Sequence, residues 1–493
     1  MAKQNNKSIW STPLTRSFIK TEEVHLPEML IGYFIGPFGA LLSSGIYTSI
    51  LQNYFTDVLK LDLAFLTTLQ LVSTIFIVAA NLIVGQLIER TRTLAGKARP
   101  WILLSALTLS IASVLMFIVP FEGTAKMVWI AIAYNLFYSV AYPIYNTANS
   151  TLVPVSTRDT KKRGVLASFT NVAGLGVMGA GSMVFPILVS FALKEDQGKW
   201  FVAMLAIAIF SGLTIFLQYK FTRERVTEEL MGGNMEAEES ADAAKAPSMG
   251  EQLKAVTGEK MWWIAILAYL LFQWSGALKN GSMTYYCKWV LDNSFFGSAD
   301  AWGASQSMLA IMGAVPMAVA AVFVVPLANK YSKRWVVFWG MIIGIIGGFV
   351  AGLGNAQLVP TAIGVALKCL GSSPIAYMIL AMLADVIDHI EYKTGLRTDG
   401  LTMSIYSSIM VAGTPIMNAV FSALLKAFGY AQDADIALGR AAQNTNAQFA
   451  IGFSYIWVEA VAYALAALLI FFFTVEKKLP EEQKAIAERK NKG

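Results

Sequence analysis

The residues with chemistry to offer are few, and they sit in greasy surroundings. Lys279 beside Asn280, Lys368 and Glu459 are embedded in long apolar stretches. An ionisable side chain there is costly unless paired or wetted, so each is a candidate site residue. Two readings stand together: Lys368 and Glu459 pair while Lys279 snorkels to an interface, or these groups face a polar cavity. Tyr142, Asn146 and Asn149 recur at i, i+4 and i+7, one stripe of a helix, and Gln273, Ala277 and Asn280 share another face with Lys279 beside it. Hydroxyl and amide groups donate and accept to a hydroxyl-rich solute with little desolvation cost compared with a charge. The same groups also suit hydrogen bonding between helices. A further cluster, Asp385, Asp388, Glu391, Lys393 and Arg397, mixes acids and cations at the end of an apolar stretch. Such groups pair when they can, which predicts a gating network rather than substrate contacts.

Other chemistries find no support. His25 and His389 lack metal-ligand spacing, Cys287 and Cys369 suggest neither a disulfide framework nor a cluster, and no GxxxxGK[ST] stretch is present for ATP. The expectation is a protein that is not an enzyme, with no metal and no cofactor, drawing any energy from an ion gradient.

The elements that must carry these residues are membrane helices. The chain of 493 residues is 56% hydrophobic and 14% charged, with mean hydropathy +0.55, far from the balance of a soluble domain. From Leu63 to Ile88 only short polar side chains interrupt the apolar run, and about 20 residues suffice to cross the hydrocarbon core. Twelve spans are predicted, near 28–55, 63–88, 100–120, 127–152, 164–193, 199–220, 260–287, 304–328, 335–354, 359–388, 400–428 and 448–474. Arg90, Arg92, Lys97, Arg99, Arg158, Lys161, Lys162, Arg163, Lys330, Lys333, Arg334, Lys393 and Arg397 fall in one set of loops; Lys60, Lys126, Lys194, Lys199, Lys288 and Arg440 fall in the other. The excess places the first set, and both termini, in the cytoplasm. The net charge of +6 follows from such loops and calls for no nucleic acid. Residues 1–20 carry Lys3, Lys7, Arg16 and Lys20 without an apolar core and do not read as a signal peptide.

Residues 222–258 turn abruptly polar and Gly-interrupted, a linker too hydrophilic for lipid. The predicted organisation is an amino-terminal tail and six-helix half over 1–221, a cytoplasmic linker over 222–258, a second six-helix half over 259–475 and a cytoplasmic tail over 476–493. Asn329-Lys330 through Lys333-Arg334 echoes the basic loop near residue 90. Two parallel halves of this kind characterise major facilitator folds. The Gly174–Gly181 and Gly344–Gly348 clusters are assigned to close helix packing.

Specific motifs narrow this. Gly85, Glu89-Arg90-Thr91, Gly96-Lys97 and Arg99-Pro100 resemble the loop between spans two and three of the glycoside-pentoside-hexuronide:cation symporters, the melibiose-permease-like branch of the major facilitator superfamily. Ala384-Asp385, Asp388, Glu391, Lys393-Thr394-Gly395, Arg397 and Gly400-Leu401 are similar to that family's pattern at spans ten and eleven. Gly36-Pro37-Phe38-Gly39 and Tyr54-Phe55-Thr56-Asp57-Val58 match in span one. The resemblance implies sugar transport by alternating access with cation symport. It also exposes departures. Where the family carries the acids of its cation site in span two, this chain has Ile77 and Asn81 with Leu82; the family's sugar-binding acids and arginine of spans one, four and five fall near Leu41, at Asn146 and near Asn171; and its lysine of span eleven falls near Val411.

The resulting expectation is an all-α polytopic protein of twelve membrane helices in the cytoplasmic membrane, monomeric, surrounded by lipid and carrying a small sugar or sugar derivative. Tyr142, Asn146, Asn149, Asn171, Gln273, Lys279, Asn280 and Lys368 are its substrate-binding candidates. Asn81, Asp385, Asp388, Glu391, Arg397 and Glu459 are its coupling or gating candidates. A proton is favoured over sodium, because a bare sodium ion needs oxygen ligands and compensating charge that Ile77 and Asn81 do not supply. If Lys279 and Lys368 both face the cavity uncompensated, an anionic sugar is preferred. The alternatives are a transport-dead sugar sensor and a carrier of an amphipathic, lipid-like solute.

Overall fold

The computed structural model describes residues 16–157, 159–232, 249–396 and 398–492. Arg397 therefore lies outside the described residues, as do Arg158 and the middle of the expected linker. The described chain is helical, and eleven of its helices are long and apolar enough to span: α1 (Glu28–Leu51), α2 (Leu63–Arg90), α4 (Gly123–Ser156), α5 (Lys161–Leu193), α6 (Gln197–Lys220), α7 (Lys260–Trp289), α8 (Trp302–Tyr331), α9 (Lys333–Leu353), α10 (Leu358–Thr394), α11 (Leu401–Ala427) and α12 (Thr445–Lys477). The twelfth, α3 (Arg99–Leu115), has 17 residues, stopping short of the predicted 120. Helix α10 overshoots its prediction: 37 residues at about 1.5 Å each make about 55 Å, well beyond the roughly 30 Å hydrocarbon core. Its polar end, Asp388 to Thr394, continues the helix until Gly395 closes it in the left-handed conformation at φ 72°.

Helix starts follow local chemistry. Asp159, Asp196, Glu259 and Asn444 each accept a backbone N–H of the first turn through the side chain, satisfying donors that a helix leaves open. Large apolar side chains such as Ile75, Leu107, Val202, Val322 and Leu468 lie on the outside of their helices, the expected exterior of spans that face lipid.

The chain divides into two compact units. One holds the described residues of Met1–Leu61, Leu71–Phe185 and Ala192–Ala243; the other holds those of Asp62–Gln70, Pro186–Phe191 and Ala244–Gly493. Inside the first, Gly36 and Gly39 pack against α6: a Cβ on Gly36 would lie 2.5 Å from Gln218 Cβ, and one on Gly39 would lie 2.2 Å from Thr214 Oγ1. The Gly36-Pro37-Phe38-Gly39 motif is thus a helix contact. Inside the second, Gly347 and Gly364 bring α9 and α10 backbone to backbone, each of their added Cβ atoms falling within 2.6 Å of the other's carbonyl oxygen. Several spans also contain widened π-type turns, including Leu136–Ala141 in α4 and Phe453–Trp457 in α12.

Candidate functional site

The three charges embedded in the second unit come together. Lys368 on α10 lies 2.6 Å from Glu459 on α12, and Lys279 on α7 approaches the other carboxylate oxygen at 3.5 Å. The widened turn Phe453–Trp457 takes part: Lys368 Nζ donates to the carbonyls of Tyr455 and Ile456 at 3.0 and 3.3 Å. A π-turn shifts carbonyls out of the regular ladder, which makes such acceptors available. Tyr463 donates its hydroxyl to Glu459 at 3.2 Å. Lys368 is consequently enclosed, with 1% of its side chain exposed, against 16% for Lys279.

This geometry corrects one premise. Glu459 stands between the two lysines, so they are not both uncompensated, and the enclosed Lys368 directs its ammonium to protein acceptors. One carboxylate serves two ammonium groups, leaving the cluster one positive charge in excess.

The uncharged candidates separate into two kinds. Asn149 is buried and bound: its Oδ1 accepts from Gln218 Nε2 at 2.8 Å, while Gln218 Oε1 accepts from the Tyr145 hydroxyl at 2.7 Å. That bridge between α4 and α6 is interhelical bonding, and Tyr145 and Gln218 are residues that sequence reasoning passed over. Gln218 did leave a trace, as the single amide in the apolar run of α6. Tyr142 and Asn146 on α4, and Gln273 and Asn280 on α7, are partly buried, and Asn171 on α5 is exposed. Asn146, Gln273 and Asn280 have no side-chain hydrogen bond to another described residue. Asn81 spends its amide on its own helix, donating to Ile77 O at 2.8 Å.

Asp385, Asp388 and Glu391 gather elsewhere. The 17 residues from Lys368 to Asp385 put about 25 Å of helix between the two clusters. Asp385 pairs with Lys333 at the start of α9, and Asp388 accepts from Gln483 at 2.9 Å. His389 Nδ1 lies 2.8 Å from Glu482, and its Nε2 lies 3.8 Å from Glu259, which also pairs with Lys393 at 2.8 Å. Burial pushes the Glu259 carboxyl up, but the Lys393 ammonium, the Met261 N–H and His389 outweigh it and hold the group below its ordinary range. The terminal helix Leu479–Lys492 is thereby fastened to the end of α10.

A correspondence between the units was legible but overlooked. Phe221-Thr222-Arg223-Glu224-Arg225 follows α6, and Phe473-Thr474-Val475-Glu476-Lys477 ends α12. Glu224 accepts the N–H groups of Lys97, Ala98 and Arg99 at 2.8, 2.9 and 2.8 Å, at the start of α3. Glu476 accepts those of Lys333 and Arg334 at 2.8 and 3.2 Å, at the start of α9. Each glutamate offsets the positive end of a helix. Arg225 binds Glu28 through both oxygens, at 3.0 and 2.8 Å. The first residues of the expected linker are therefore anchored in the first unit.

Twelve membrane helices with a buried charge cluster and amides at membrane depth define a transporter of the major facilitator type. The crystal structure of the nucleoside transporter NupG superposes with a TM-score of 0.60 at 12% identity, over 91% of this chain and 100% of that one. A family profile described as MFS/sugar transport protein matches residues 32–477, and the protein belongs to that family. Among its relatives are the isoprimeverose transporter of Lactiplantibacillus pentosus, 28% identical over 91% of this chain and 89% of the relative. The glucuronide carrier protein homolog of Escherichia coli is 22% identical over 94% of this chain and 95% of the relative. The branch indicated by the loop and span-ten motifs is thus the right one.

Proposed function

We propose that this protein is a secondary transporter of a sugar or glycoside, working by alternating access, with both termini in the cytoplasm. The observation that carries the reading is the set of amides left unpaired at membrane depth. Asn146, Gln273 and Asn280 have no side-chain partner among the described residues, in segments where unmet polar groups are costly. A hydroxyl-rich solute supplies the missing donors and acceptors. The family and the isoprimeverose transporter's name agree with such a substrate.

The substrate is read as uncharged despite the one positive charge in excess, because Lys368 is enclosed on Glu459 and two backbone carbonyls and Lys279 shares the same carboxylate, so neither ammonium lacks an acceptor that a sugar acid would have to supply. The coupling ion, on this reading, is a proton. Asn81 keeps one neutral oxygen beside buried Ile77, a poor exchange for the hydration shell of sodium. Charge balance also says which proton moves. Protonating Glu459 would leave two buried ammonium groups without a counter-ion, whereas loss of one ammonium proton leaves a neutral pair. The test is uptake into energised vesicles across a panel of pentosides, glycosides and uronides, with and without sodium and a protonophore. Accumulation of a neutral glycoside that collapses with the protonophore and ignores sodium is expected. Steep sodium dependence at clamped pH, or no uptake of any sugar, overturns the reading.

A further inference from the structure

A second polar site lies apart from the membrane-depth cluster, at the end of the first unit where α2, α3 and α6 terminate. A cavity of about 300 Å3 is lined there by Arg16, Lys20, Arg99 and Arg223, with Glu228 as the one carboxylate and Leu94 and Ile19 among its walls. Glu228 is already committed: it meets Arg223 at 2.7 Å. Arg99 is only 3% exposed, yet its guanidinium pairs with no carboxylate among the described residues. Its guanidinium donates to the carbonyls of Ala95 and Tyr219 at 3.2 and 3.1 Å and lies 4.6 Å above the Tyr219 ring. Its Nε has no hydrogen-bond partner among the described residues. A buried guanidinium with an unused donor is an incomplete anion site, since Arg binds phosphate through several N–H groups at once.

The wall is held in place. Ser17 donates to Lys220 O or Thr222 O, Phe18 N–H donates to Lys220 O at 2.8 Å, and Lys220 Nζ donates to Arg16 O at 3.2 Å. Beside the cations stand two large apolar side chains turned outward, Phe18 at 60% and Leu94 at 70% exposed. Cations around a cavity, flanked by apolar groups at the level where spans end, match a molecule with an anionic head and hydrocarbon tails.

We propose that this cavity binds the head group of an anionic phospholipid, with Arg99, Arg16 and Lys20 around its phosphodiester and Leu94 and Phe18 against its chains. The phosphate is the recognised group, and the lipid is its source. The site is independent of the sugar and needs no transport to be seen. The experiment is thermal unfolding of the purified, delipidated full-length protein in detergent, titrated with phosphatidylglycerol, with phosphatidylcholine, or with inorganic phosphate. Phosphatidylglycerol should raise the midpoint and phosphatidylcholine should not. The exposed positions allow variants that leave the packing alone: R16Q and K20Q should each weaken the half-saturating concentration by about fivefold, and the double variant by about twentyfold. R99K, which keeps the charge but loses the planar fork, should weaken it as well. An equal shift with phosphatidylcholine, a titration untouched by R16Q and K20Q together, or a full effect of inorganic phosphate alone would each overturn the proposal.

Discussion

Glu459 acts first as a counter-charge. It is the carboxylate between Lys279 and Lys368, so Glu459→Gln should cost about 3–5 kcal/mol, the usual penalty for breaking a buried ion pair from one side. Denaturant or thermal unfolding in detergent measures it. Adding Lys368→Met to that variant should recover much of the loss, because the stranded ammonium is removed too; no recovery would mean that Glu459 matters by its shape. The amides behave differently. Asn146 and Asn280 have no side-chain partner among the described residues, so Asn146→Ala and Asn280→Ala should leave the unfolding midpoint unchanged while lowering kcat/KM for sugar uptake about tenfold each, the worth of one good hydrogen bond. Asn149→Ala should do the reverse. It removes the acceptor of Gln218, costing about 1 kcal/mol of stability, with little effect on KM.

At the scale of elements, two glutamates hold the starts of two helices. Glu224 meets three backbone N–H groups and Glu476 meets two, so Glu224→Ala should destabilise by about 2–4 kcal/mol and Glu476→Ala by less. Equal losses in unfolding experiments would contradict that ordering. The Glu259–Lys393 pair beside the anchor of the terminal helix should respond to pH. Glu259 is held below the ordinary carboxylate range in the fold, so its contribution is present above the unfolded value of about 4.3 and is lost as pH falls through the folded one. The stability advantage of wild type over Glu259→Gln should therefore be full at neutral pH and shrink in acid. An advantage that grows on acidification would reverse the assignment.

For the whole molecule, the predictions concern sidedness and energy. On the proposed topology, with both termini cytoplasmic, a reporter fused after Gly232 should be silent if it works only in the periplasm. Sodium should leave uptake unchanged at constant pH while a protonophore abolishes accumulation. These outcomes are separable: the first tests the distribution of Lys and Arg over the loops, and the second tests the presence of Ile77 and Asn81, rather than acids, in α2.

Fold class and family were legible because they rest on local pattern. An apolar run of membrane length must be a helix, since backbone polar groups in lipid are satisfied within the segment, and the motifs at Glu89–Pro100 and Ala384–Leu401 are contiguous in the chain. Tyr142, Asn146 and Asn149 could be placed on one helical stripe from spacing alone. Only tertiary structure could say that Asn149 is consumed by Gln218 while Asn146 is not, because hydrogen-bond partners on different helices have no signature in sequence separation. The same holds for Lys279, Lys368 and Glu459, whose residue numbers span 180 positions. Their charges announced that compensation was needed. The packing of α7, α10 and α12 decided which group compensates which, and it enclosed Lys368 while leaving Lys279 partly open.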